Sequence, residues 1–306
     1  MRSRVRRVLK PAKRLVRGRR FRHATSRARI LPSFIIIGAQ RAGTTSLFDY
    51  LGRHPDVASP TAVAEDIAWS KEVHFFDDRF ARGLDWYRSL FPLAVRRRYA
   101  RARGRDLVAA EATPYYLFHP FVPERIAATL PDVRLIALLR DPIERAYSHY
   151  QLAHRKGREQ LSFEEALAAE PERIAEDEPH LGDPTYRSRH HRHHSYLARG
   201  LYAEQLERWF AHFPRDQMLI IRSEEFLAKP AETYERVLDF LGLRPWRLEH
   251  FEQRNVGSYA PIDPALRARL EEHFAEANAR LERLLGPEFA WTRATRPVGV
   301  AGTPAE

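Results

Sequence analysis

Residues 34–51, FIIIGAQRAGTTSLFDYL, leave few options for the chain built around them. Four consecutive apolar residues, 34–37, read as a strand buried on both faces. Gly38 and Gly43 then bracket a turn in which the backbone can fold closely enough to aim successive N–H groups at an anion. The amphipathic segment that follows is a helix presenting its positive end to the same point. A nucleotide triphosphatase would need G-x-x-x-x-G-K-[ST] here, but the residue after Gly43 is Thr44 and the only long cation of the loop is Arg41. The loop therefore shares a shape with those enzymes and not their chemistry. Arg41 places a fixed positive charge where a phosphate would leave.

The rest of the chain alternates in the same manner. Strands are expected at 107–110, 133–139 and 217–221, and helices at 84–91, 122–130, 196–212, 230–241 and 264–285, with 170–194 a polar insertion or mobile loop. This alternation implies a parallel sheet covered by helices on both faces, with the ligand crevice at the strands' C-terminal ends. In LLRDPIERAYSHYQ, residues 138–151, Asp141 and Pro142 read as cap and first position of a helix. Arg140 sits just past a strand end and Ser148 two helical turns on, so that with Arg145 they form a small anion pocket. In KEVHFF, residues 71–76, Glu72 and His74 are rival general bases: a carboxylate in an apolar pocket can be raised toward neutrality, and an imidazole starts there. The bland alternative is a solvated Lys71–Glu72 pair on a strand whose Phe75 and Phe76 are core.

Charge excludes a nucleic-acid binder. The net charge is +11, but residues 1–30 hold 13 of the 51 Lys and Arg and none of the 40 acidic residues, leaving a body with 38 basic and 40 acidic side chains. Apolar residues at helical spacing within the tail (Val5, Val8, Leu9, Ala12, Leu15, Val16) suit an anionic membrane surface, whereas Pro11 suits a disordered arm. There is no cysteine, and no run approaches the ~18 apolar residues of a spanning helix. The expectation is a cytoplasmic enzyme, at most at the inner face of the membrane. The His run at 190, 191, 193 and 194 has irregular spacing for a metal and reads as a solvated or acceptor-facing loop; no metal is expected.

With these segments in this order, residues 33–286 resemble the sulfotransferases that use 3′-phosphoadenosine 5′-phosphosulfate (PAPS), most of all the heparan-sulfate and glycan branch with its bacterial relatives. The resemblance implies an α/β, three-layer P-loop-like fold with a central parallel sheet, spanning 31–288 between the basic tail 1–30 and a C-terminal tail 289–306. It implies a donor site at Arg41, Ala42, Gly43, Thr44, Thr45 and Ser46, with Arg140 and Ser148 on the 3′-phosphate. Arg254 and Asn255 stand where relatives close a loop over PAPS. Glu72 matches the base of the glycan branch, and His74 is its rival. Lys71, Glu111 and Thr113 lie beside the acceptor, with Ala112 where relatives often carry Lys. The family usually has Lys at the position of Arg41; Arg keeps the charge but cannot give up its proton, so electrostatic stabilisation is its expected role. The implied reaction is sulfuryl transfer to a hydroxyl or amine of a carbohydrate or glycolipid. A small-molecule kinase on the same loop, or a catalytically silent relative that binds glycan or membrane, are the alternatives.

Overall fold

The computed structural model describes residues 18, 20–60, 72–252, 254 and 259–291. Most of the basic tail, Lys71 and Asn255 lie outside the described residues. The sheet consists of β1 (Pro32–Gly38), β2 (Val57–Ala58), β3 (Val108–Ala112), β4 (Arg134–Leu139) and β5 (Met218–Arg222), all parallel, in the order β2-β3-β1-β4-β5. Residues 35–37 of β1 and 135–139 of β4 are fully buried, as a sheet sandwiched between helices requires. β3 and β4 follow one another in the chain yet flank β1 on opposite sides, so the connections diverge at the C-terminal end of β1 and open a crevice there.

The helices are α1 (Thr44–Gly52), α2 (Gly83–Arg88), α3 (Ala94–Arg101), α4 (Val122–Thr129), α5 (Pro142–Arg155), α6 (Phe163–Ala168), α7 (Glu170–Asp177), α8 (His190–His193), α9 (Tyr202–Phe210), α10 (Ser223–Ala228), α11 (Pro230–Leu241) and α12 (Pro264–Leu285). The cap expected for α5 is present: Asp141 Oδ1 accepts from the N–H groups of Ile143 (2.9 Å) and Glu144 (3.1 Å), an arrangement worth about 1 kcal/mol. None of the described helices is long and apolar enough to cross a membrane.

Three expectations need correction. The segment 170–194 is not a mobile insertion; it folds into α7 and α8 around buried carboxylates. Glu170 accepts from the N–H groups of Leu197 and Ala198, and Asp177 from that of His191, so acids that read as solvated serve as backbone partners. The helix placed at 196–212 begins only at Tyr202. In place of the strand of the bland alternative, residues 75–78 form a turn, with His74 in the left-handed region at φ 52°.

Candidate active site

The loop after β1 is shaped by its glycines. A Cβ on Gly38 would stand 2.4 Å from that of Leu117, and Gly43, at φ 91°, lies against the Phe226 ring, so neither position accepts a side chain without displacement. Gly43 caps α1 with no side-chain hydrogen bond, which directs the first N–H groups of the helix at the cavity beyond. Ser223, opening α10, donates to the Ala42 carbonyl at 3.1 Å and braces the loop from below. Ala42 is itself buried and contributes backbone only.

That cavity, of about 670 Å³, is lined by Arg41, Gly43, Thr44, Thr45, Ser46, Glu72, Arg140, Ser148 and Arg254. Segments more than 100 residues apart thus share one wall. Arg41 Nε donates to Ser148 Oγ at 2.9 Å, and Arg140 Nη1 to the Arg41 carbonyl at 3.3 Å, tying the loop to α5. The Arg254 N–H donates to Ser46 Oγ at 2.9 Å. Arg41, Arg140, Arg155, Lys156, Arg254 and Arg267 line the cavity against two carboxylates, Glu72 and Glu144, and Glu144 is paired with Arg267. Burial lowers the Arg41 pKa and neighbouring Arg140 and Arg155 add to this, while Tyr259 opposes it. An anion entering here relieves that repulsion.

The turn that follows Glu72 is held from within by a buried carboxylate. Glu111 at the end of β3 accepts from the hydroxyls of Tyr87 (2.5 Å), Thr113 (2.8 Å) and Tyr116 (3.5 Å). Thr113 Oγ in turn accepts from the N–H groups of Val73 and His74, and the Tyr116 hydroxyl from those of Phe75 and Phe76. Four consecutive backbone donors of the turn are held by two hydroxyls that share one acid. Glu111 and Thr113, expected beside the acceptor, are both 0% exposed and turned inward, and they position the turn that follows Glu72. Thr113→Val would leave two buried N–H groups unpaired, at about 1–3 kcal/mol.

On that turn His74 Nδ1 donates to Asp77 Oδ2 at 2.5 Å, and its Nε2 lies 3.2 Å from Glu72 Oε2. Arg192 of α8 closes the group, with Nη1 on Asp78 Oδ2 at 2.5 Å and Nη2 2.7 Å from His74 Nε2. The two contacts at Nε2 exclude one another. A protonated Nε2 donates to Glu72; if the proton moves to Glu72, Nε2 accepts from Arg192. Burial pulls the His74 pKa down, but the Asp77 charge and the hydrogen bonds to Asp77 and Glu72 outweigh it and raise it to about 9. His74, Asp77 and Asp78 bring potential metal ligands within 4.8 Å of one another, and the Arg192 guanidinium supplies positive charge there.

These shifts have a consequence for stability. His74, raised from 6.5, contributes stability that is complete below pH 6.5 and lost as pH rises through about 9. Glu111, lifted by burial from 4.5 to about 7 against the pull of the Tyr87 and Thr113 hydroxyls, acts in the same sense between those values. The melting temperature should therefore fall from pH 6.5 to pH 9, and His74→Asn should remove that fall; below 6.5 the imidazoles of His119, His191 and His193, whose pKa values burial lowers, act against Glu111. A flat wild-type profile from 6.5 to 9 would contradict the assignment of these protons.

Arg145, expected in the anion pocket, is 0% exposed and turned inward, donating to the Tyr196 carbonyl. His191 and His194 are buried too, His191 stacked on Phe118 at 4.2 Å, while His190 and His193 are half-buried, so the His run is not a solvated loop. Trp209 and Phe213 are core. Sequence reading missed Arg155, Lys156, Tyr259 and Arg267 on the cavity and Arg192 at the acid cluster. Arg155 and Lys156 carried a signal, since they lie about two turns beyond Ser148 at the end of the same helix; Arg192 had none.

Residues 31–255 match the family model described as a sulfotransferase domain. The chain is 27% identical over 327 residues to the membrane-associated sulfotransferase kil1 of Dictyostelium discoideum, covering 85% of this chain and 66% of that protein. It is 30% identical over 295 residues to human heparan sulfate glucosamine 3-O-sulfotransferase 6, covering 86% and 74% respectively. Among solved structures it is similar to a sulfotransferase from Alicyclobacillus acidocaldarius, with TM-score 0.60 and 32% identity over 84% of this chain and 96% of that one. The curated relatives are mostly longer: the chain spans 66% of kil1 and 47% of mouse heparan sulfate glucosamine 3-O-sulfotransferase 3B1.

Proposed function

The chain belongs to the sulfotransferase family, and from that premise we propose that it moves the sulfuryl group of PAPS to a hydroxyl or amine of a carbohydrate or glycolipid. The observation that carries this reading is the single cavity joining the N-terminal end of α1, Arg140 with Ser148, and Glu72. The N–H groups at residues 43–46 and the hydroxyls of Thr44, Thr45 and Ser46 hold the 5′-phosphosulfate, with Arg41 against the phosphate that leaves. Arg140 and Ser148 hold the 3′-phosphate, and Arg254 closes over the nucleotide together with Asn255. Glu72 takes the acceptor proton as the new bond to sulfur forms and the bond from sulfur to the phosphate oxygen breaks. Lys71, beside Glu72 in the chain, takes part in binding the acceptor. The catalytic unit is 31–288, working in the cytoplasm.

Incubating the protein with radiolabelled PAPS and a panel of glycans and glycolipids tests the reaction; label that never leaves PAPS for any acceptor would sink it. Donor recognition is tested separately. Adenosine 3′,5′-bisphosphate should bind about 10- to 100-fold more tightly than AMP, from charge-assisted contacts worth about 1.5–3 kcal/mol, and Arg140→Ala should erase most of the difference. Equal wild-type affinity for the two nucleotides would refute the donor assignment.

A further inference from the structure

Because all five strands are parallel, the cavity at their C-terminal ends leaves the N-terminal ends as a separate face. α3 hangs from that face. Its first turn is tied to the segment entering β1, through a bridge between Leu93 and Arg29 and the Ile30 N–H on the Pro92 carbonyl, and its last turn feeds β3. Residues 94–105 contain six arginines and no acid. Arg97 and Arg101 share Asp106, and Arg105 joins Arg244 on the buried Asp56, just ahead of β2. Arg96, Arg98 and Arg103 are exposed, with no carboxylate partner among the described residues.

Apolar side chains stand among these charges. Val95 and Tyr99, one helical turn apart on one side of α3, are each 62% exposed, and the Arg103 guanidinium lies 3.7 Å above the Tyr99 ring. Trp246, 38% exposed, lies beneath the Arg244 guanidinium at 5.2 Å. Phe21, also exposed, belongs to the basic segment that Arg29 fastens to the Phe91 carbonyl. That mixture matches a lipid headgroup layer, where guanidinium groups meet phosphates and amphipathic rings settle at the boundary.

We propose that the N-terminal edge of the sheet, α3 with Tyr99 and the neighbouring Trp246, docks on an anionic phospholipid bilayer and turns the catalytic cavity away from it. The acceptor then reaches Glu72 from the water rather than from the same bilayer. The proposal does not depend on the identity of the sulfuryl donor, and it adds a folded docking face to the basic tail.

The full chain should float with vesicles containing phosphatidylglycerol and not with phosphatidylcholine alone. The triple variant R96S/R98S/R103S should weaken that partition roughly 100-fold with an unchanged melting temperature, since each arginine near such a surface contributes about fivefold. Tyr99→Ser with Trp246→Ser should reduce whatever binding survives at high salt. The absence of cysteine allows single labels: an environment-sensitive dye on Tyr99→Cys should shift on adding anionic vesicles, and one on Leu227→Cys at the cavity should not. Vesicle binding unchanged in the triple variant would assign all attachment to the tail and overturn the proposal. So would equal binding to neutral vesicles, a shift at Leu227, or binding to a sulfated polysaccharide without binding to vesicles.

Discussion

Glu72→Gln should cut turnover by roughly 10²–10⁴-fold while leaving affinity for adenosine 3′,5′-bisphosphate little changed. The amide keeps the size of the carboxylate and loses its ability to take a proton. Glu72 reaches the cavity, whereas His74 is only 6% exposed and is held by Asp77 on one side and by Glu72 and Arg192 on the other. In the proposed reaction the imidazole therefore acts through Glu72, fixing its carboxylate with the Nε2–H. His74→Ala should lower turnover by a smaller factor than Glu72→Gln. A larger loss from His74→Ala, with Glu72→Gln nearly as active as wild type, would transfer the base to the imidazole. The rates need single-turnover measurement at saturating donor, so that release of product does not mask the chemical step.

Arg41→Ala should reduce turnover by about 10²–10³-fold, the usual loss when one preorganised donor to a developing anion is removed. Its effect on donor affinity should be smaller but measurable, because Arg41 also joins the loop to Ser148 at 2.9 Å and reaches the Tyr259 hydroxyl at 3.4 Å. Arg41 has φ 73°, a left-handed conformation that costs any residue with a Cβ, and the loop retains it with the side chain over the cavity. Arg41→Lys keeps the charge without the planar fork and should remain active, though less firmly tied to Ser148. Turnover unaffected by Arg41→Ala would remove this residue from the mechanism and leave stabilisation of the leaving phosphate to the backbone and Thr44 and Thr45.

The loop and the α5 cap were legible because their determinants are local. Residues 34–51 carry strand, glycine turn and helix in immediate succession, and Asp141-Pro142 marks a helix start through atoms two and three residues away. The parallel sheet followed from alternation alone. Glu72 was legible as a carboxylate next to an aromatic pair, although the sequence left it and His74 as competitors; the turn joins them instead, with Asp77 behind.

Side-chain direction was not legible. Glu111 was expected beside the acceptor from the family resemblance, but β3 is buried along its whole length and offers no solvent face to choose. The same holds for Arg145, which sits on the buried side of α5 while Ser148, three residues on, meets the cavity. Arg192, hidden in a His-rich stretch, meets Asp78 across 114 residues of chain. Short-range rules of turn, cap and period thus determined the elements and the anion-binding loop from sequence by itself. Which polar side chains face the cavity, and which hold others in place from within, was decided only by tertiary packing, because a buried polar group settles against whatever partner the fold brings within hydrogen-bond reach, however distant in the chain.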